Sequence, residues 1–163
     1  MIRGRRYITI TLCCACAALA LSARGQLDQN ANAQSDVWEL LYGAAGLSAT
    51  NDPDFDGFNN RAESLAGTDP YSASSFPHLS AVETGAGETR QVLPSVPGKR
   101  YTLHGAGDDH VWTALTNRVG TGGALELEQP AEASHRRYRI AVSDLDTDGD
   151  GLTDWEESAV GFD

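Results

Sequence analysis

Cysteine is scarce in this 163-residue chain, and all three, Cys13, Cys14 and Cys16, stand near its N-terminus. From residue 17 onward no disulfide can form within the chain. Basic residues are also few, 12 against 23 acidic ones, for a net charge of −11. That balance excludes the basic footprint of a nucleic-acid binder. Aromatics make up 7% of the residues and methionine occurs once, so any core is modest. Apart from Ile8 to Leu21, no long apolar run is present, and the rest of the chain offers no membrane span.

That one apolar run has a distinctive setting. Arg3, Arg5 and Arg6 precede it, and Ala23 and Gly25 follow as a small-x-small pair. Positive n-region, short apolar h-region and small residues form the layout of a secretory signal peptide, residues 1–25, cleaved after Gly25. Cysteine-free residues 26–163 would then enter an oxidising compartment without disulfides, leaving a bound metal as the natural staple for their loops. Lipidation at Cys16 is the weaker reading, because Cys13-Cys14-Ala15 is a poor lipobox. Removing Arg3, Arg5, Arg6 and Arg24 leaves 8 basic and 23 acidic residues, a net charge of −15.

Composition divides the remainder. Residues 26–34 are polar and of low complexity and read as a flexible leader. Residues 35–76 hold a short helix capped by Ser35 and Asp36, with Val37, Trp38, Leu40 and Leu41 as its expected apolar face. An acidic loop follows, then a second helix from about Asn60 to Ala66, stopped by Gly67. Residues 77–143 alternate in short runs, such as Tyr101 and Leu103, Leu125 and Leu127, or Tyr138, Ile140 and Val142, separated by Gly, Pro and Asp turns. Six or seven strands in such a length suggest a small β-sandwich with Trp112 at its centre. The expected fold is therefore mainly β, flanked by two helix-associated acidic loops.

The second of those loops occupies residues 144–163 and repeats the first. Asp52, Asp54, Asp56, Gly57, Glu63, Ser64, Gly67 and Asp69 recur as Asp146, Asp148, Asp150, Gly151, Glu157, Ser158, Gly161 and Asp163, a constant offset of 94 (146 − 52 and 163 − 69). Such self-similarity marks a repeated structural unit. Each loop reads D-x-D-x-D-G with Glu at position 12. Calcium takes 6–8 oxygen ligands, and this pattern supplies them: three aspartates, a turn at glycine, a position-7 carbonyl, a position-9 side chain and a closing glutamate. The candidate ligands are Asp52, Asp54, Asp56, Phe58 (carbonyl), Asn60 and Glu63, then Asp146, Asp148, Asp150, Leu152 (carbonyl), Asp154 and Glu157. Magnesium fits less well, since it retains several waters and uses fewer carboxylates. The second repeat stops at Asp163, where the first continues into Pro70. It reads as truncated, with its helix expected to lack packing and its calcium expected to bind more weakly.

The segments DPDFDGFNNRAESLAGTDP and DTDGDGLTDWEESAVGFD resemble bacterial thrombospondin type 3 repeats. The apolar residue at position 7 (Phe58, Leu152) with a polar one at position 8 (Asn59, Thr153) separates them from EF-hands and dockerins, which place an aliphatic residue at position 8. The loops lack the cysteines of the animal repeats, so no disulfide pattern carries over. The run VPGKRYTLHGAGDDHVWTAL followed by YRIAV is similar to immunoglobulin- or fibronectin type III-like modules. The repeat resemblance implies calcium as cofactor, secretion or cell-surface display, and a non-catalytic structural or interaction segment of an exported bacterial protein. Its implied partner is a surface protein or polysaccharide, with no nucleic acid and no membrane span after signal cleavage. The alternative is the N-terminal accessory region of a larger secreted enzyme, such as a hydrolase, with its catalytic domain beyond residue 163.

Other constellations carry less. His104, Asp108, Asp109 and His110 lack the cysteine or second spaced pair of a zinc site. Glu126 and Glu128 share the outer face of a strand and read as solubilising. Arg136, Arg137 and Arg139 read as an exposed strand end, and Trp38 and Trp155 as packing residues. No G-x-S-x-G elbow is present.

Overall fold

A computed structural model describes residues 9–10, 25–85, 88–130 and 137–162. Its elements are β1 (Thr9–Ile10), α1 (Asp36–Tyr42), α2 (Asn60–Ala66), β2 (Ala81–Gly85), β3 (Glu88–Pro94), β4 (Lys99–Ala106), β5 (Trp112–Val119), β6 (Ala124–Pro130), β7 (Arg137–Asp144) and α3 (Asp154–Val160). Strands β2-β3-β6 form one antiparallel sheet, and β7-β4-β5 form the antiparallel body of the other. Apart from β1, which pairs in parallel with β7, and Gly25, the expected signal peptide lies outside the described residues, as does Arg136. No helix among the described residues is long and apolar enough to cross a membrane. The fold is mainly β, a small sandwich with helix-associated loops, as the alternation along residues 77–143 implies.

Period-2 burial explains the sandwich. Leu93, Leu125 and Leu127 from one sheet meet Tyr101, Leu103, Tyr138, Ile140 and Val142 from the other in a single core. In register, Leu103 faces Ile140 and Tyr101 faces Val142 across β4 and β7, while Leu93 faces Leu125 across β3 and β6. Trp112 is not the centre. It lies half-buried with the Arg139 guanidinium 4.6 Å from its ring centroid. The centre belongs to Tyr101 and Leu103 on β4, a strand with partners on both sides. Tyr101 also ties the core to a loop, because its hydroxyl accepts the Val96 N–H at 2.8 Å.

The β3 core face includes a polar side chain. Gln91 is 1% exposed, and neither its Nε2 nor its Oε1 has a hydrogen-bond partner. A buried amide without partners costs about 1–3 kcal/mol. Gln91→Leu, opposite Leu127 in register, is therefore expected to stabilise the protein by about 1–2 kcal/mol. Urea denaturation measures this; an unchanged or lower midpoint contradicts it.

A second core joins the helices. Val37, Trp38, Ala44 and Trp155 cluster with Leu27, Tyr42, Leu47, Val96 and Ala159. The face of α1 differs from the expected one. Leu40 is 78% exposed and Leu41 is also exposed, while Val37, Trp38 and Glu39 are buried. Spacing alone admitted Leu40 and Leu41, but the turn set by Ser35 points Glu39 inward. In place of a flexible leader, residues 26–34 form a hydrogen-bonded loop. Gln26 Nε2 donates to Ser64 O (2.6 Å), and the Asn32 and Ala33 N–H groups donate to Asp28.

Candidate metal centres

Each acidic loop is built from its own backbone. In the first, Asp52 accepts the N–H groups of Phe55 (2.8 Å) and Gly57 (3.0 Å), Asp54 accepts that of Asp56, and Asp56 that of Phe58. The second repeats this: Asp146 accepts Gly149, Asp148 accepts Asp150, and Asp150 accepts Leu152. Both oxygens of Asp52, and one oxygen of each of the other five aspartates, thus anchor the turns. The three carboxylates of each loop converge, each set offering ligand atoms within 4.8 Å of one another.

A helix then brings up the distant glutamate. Asn59 and Thr153 cap α2 and α3, and Gly67 and Gly161 end them in the left-handed conformation. Glu63 and Glu157 fall in the first turn of each helix. Burial, reinforced by Asp56 and Asp54, raises the Glu63 pKa to about 8. Asp56 is raised by burial, and by Asp54 and Asp52, against the lowering effect of the Phe58 N–H. In the second loop Glu157 is raised by desolvation and by Asp148, Asp150, Asp154 and Asp146. Carboxylates crowded in this way favour either a proton or a cation.

The residues of the first loop fit a cation. Asp54 Oδ2, Asp56 Oδ2, Asn60 Oδ1 and Glu63 Oε2 are all buried and accept no hydrogen bond. Four oxygens of one short loop sharing this state match a hard cation's demand for oxygen ligands. Asn60 and Asp154, both at position 9, behave differently. Asp154 accepts Thr147 N–H (2.8 Å) and Oγ1–H (2.7 Å), one bond on each oxygen. The corresponding residue before Asp54 is Pro53, which has no N–H, and Asn60 instead donates to Ser48 O. Thr68, whose hydroxyl lies 3.4 Å from Glu63 Oε1, and Thr147 escaped the sequence reading. Thr68 stands five residues after Glu63 and Thr147 seven before Asp154, so adjacency in the sequence marked neither.

The second repeat is docked, contrary to the expectation that its helix lacks packing. Trp155 is 5% exposed and Glu156 is fully buried. The Lys99 ammonium lies 4.4 Å from the Trp155 ring centroid and 2.5 Å from Asp144. Gly67 and Gly98 make room: a Cβ at Gly67 would sit 2.8 Å from Trp155 Nε1, and one at Gly98 2.5 Å from its backbone N. Glu156 closes a capping box with Thr153 and also accepts Ser35 Oγ–H (2.5 Å) and Leu27 N–H (2.9 Å).

The histidine cluster does not assemble. His104 faces Arg139, and the His110 ring contacts Asp108 O. Among the described residues only the two aspartate triads form metal-type clusters. Glu126 is paired with Arg90 at 2.7 Å. Trp38 is fully buried, with its Nε1 on Thr68 O, so it packs rather than stacks on a ligand.

Comparison with known families matches the bacterial TSP3 repeat, a calcium-binding family, at residues 52–73 and 146–161. Searches of curated proteins and of solved structures return no match. The two acidic loops are bacterial TSP3 repeats, separated along the chain by the sandwich and brought together in the fold by Trp155.

Proposed function

We propose that this chain is a non-catalytic, calcium-stabilised structural or interaction segment of an exported protein, each repeat holding one calcium ion. The observation that carries the reading is the group of four buried, unpartnered oxygens on Asp54, Asp56, Asn60 and Glu63. Asp52, Asp54, Asp56, the Phe58 carbonyl, Asn60 and Glu63 form the first ligand set. Asp146, Asp148, Asp150, the Leu152 carbonyl and Glu157 form the second, with Asp154 acting from its bond to Thr147. Calcium supplies the positive charge that lets these carboxylates ionise together. An interaction role is supported by exposed apolar groups. Of eight exposed large hydrophobics among the described residues, Leu40, Leu41, Phe55, Tyr71, Val160 and Phe162 lie on the helix-and-loop half. A surface protein or polysaccharide is the partner class this reading implies.

Calorimetry on residues 26–163 tests the metal. Saturable calcium heat is expected with a dissociation constant on the order of 10⁻⁴–10⁻³ M or tighter, together with a lower melting temperature in chelator. No heat and no chelator effect would remove the proposal. Export is tested separately by the intact mass of the secreted protein, expected to begin at Gln26.

A further inference from the structure

The loop before α1 has the geometry of the two matched repeats. Asp28, Asn30, Asn32, Ala33, Ser35, Asp36, Glu39 and Gly43 each stand 24 residues before Asp52, Asp54, Asp56, Gly57, Asn59, Asn60, Glu63 and Gly67 (52 − 28 and 67 − 43). The backbone follows the same path. Position 4 has positive φ in all three loops (Ala31 55°, Phe55 63°, Gly149 79°), and so does position 6 (Ala33 68°, Gly57 98°, Gly151 106°). Position 8 caps the helix each time (Ser35, Asn59, Thr153), and glycine at position 16 ends it (Gly43, Gly67, Gly161). The position-9 N–H donates to the residue before the loop in every copy: Asp36 to Leu27, Asn60 to Asn51 and Asp154 to Leu145, at 2.7–2.8 Å. Turn bonds also correspond, with Asn32 N–H on Asn30 Oδ1 and Gln34 N–H on Asn32 Oδ1.

The copies differ where the ligands converge. Asn30 Nδ2 donates to Glu39 Oε2 at 3.1 Å, and Asn32 Nδ2 to Glu39 Oε1 at 2.8 Å. Both oxygens of the closing glutamate are therefore satisfied by amides. In the first acidic loop the corresponding Asp54 Oδ2, Asp56 Oδ2 and Glu63 Oε2 have no partner. We propose that residues 28–43 are a third loop–helix repeat, in which the Asn30 and Asn32 amides close the loop onto Glu39 and replace the cation. This unit is a calcium-independent platform for both acidic repeats. Ser35 N–H donates to Ser64 Oγ (2.8 Å) and Trp38 Nε1 to Thr68 O (2.7 Å) on one side, while Ser35 Oγ and Leu27 N hold Glu156 on the other.

The inference rests on calcium binding by the acidic loops, so its test includes a calcium-free arm. Hydrogen–deuterium exchange of residues 26–163 is compared in chelator and in calcium. Amides 32–36 are expected to be protected equally in both, while those of 55–60 and 149–154 gain protection only with calcium. Asn30→Ala with Asn32→Ala is expected to speed exchange of 32–36 by about tenfold or more in chelator. Calorimetry is expected to give two calcium ions per chain, and three after Asn30→Asp with Asn32→Asp. Three in the unmodified protein, calcium-dependent protection of 32–36, or unchanged exchange in the alanine variant would each overturn the inference. A chain that binds no calcium defeats the preceding proposal, while exchange of 32–36 in chelator still decides this one.

Discussion

Trp155→Ala is expected to destabilise the protein by about 3–5 kcal/mol, the range for removing a buried tryptophan. The cost arises in three places. The indole fills the space that Gly67 and Gly98 leave open. It covers the Lys99 ammonium, whose side chain is fully buried beside Asp144. It also joins Val37, Trp38 and Ala44 in the core between the repeats. Loss of the ring separates α3 from the first repeat, so calcium affinity of the second loop falls with stability even though no ligand has changed. Guanidinium unfolding of the calcium-saturated protein reads the first effect, and calorimetry the second. A loss below about 1 kcal/mol, the level of an ordinary surface substitution, would mean that the indole does not hold the repeats together.

Glu63→Gln is expected to weaken calcium binding at the first loop by about 100-fold or more, because a charged position-12 ligand becomes neutral. Its effect on the calcium-free protein has the opposite sign. The folded pKa of Glu63 is about 8 against an ordinary 4.5. A group raised on folding contributes stability in full below its unfolded pKa and loses it as pH rises through the folded value. In chelator, stability should therefore fall between pH 4.5 and pH 8. Glutamine stays neutral and should remove that part of the slope. In calcium, the native glutamate must ionise, so binding at pH 7 should release about one proton from it. Titrations in buffers of different ionisation enthalpy measure the release. The same proton uptake or release in the wild type and in Glu63→Gln would show that another group titrates.

The convergence of the aspartates was legible because each acidic loop is local. Asp52 to Glu63 spans twelve residues, and the turn bonds that orient each aspartate come from the next few N–H groups. Spacing alone therefore carries the chemistry, and a constant offset reveals the second copy. Strand alternation is equally local, which is why the core pairs of β4, β6 and β7 were readable. The end of α2 was too, since Gly67 takes the left-handed conformation that glycine favours, as Gly43 and Gly161 do at the ends of α1 and α3.

Contacts between distant segments decided the rest. Trp112 and Tyr101 are both aromatic residues in alternating strands, and only the sheet order places Tyr101 between two neighbours and Trp112 on the edge. Leu40 and Leu41 outrank Glu39 as apolar residues, yet Glu39 is the one buried, because the Asn30 and Asn32 amides of the preceding loop donate hydrogen bonds to both of its oxygens. That loop read as a polar leader because asparagine and alanine occupy the places of aspartate and glycine. Composition changed while the backbone path did not. Trp155 gave no sequence sign of its partners, Gly67 and Gly98, which stand 88 and 57 residues before it (155 − 67 and 155 − 98). Local spacing determined which oxygens converge in each loop. The docking of the repeats was decided by tertiary structure alone, because shape complementarity between distant segments leaves no periodic mark on either one.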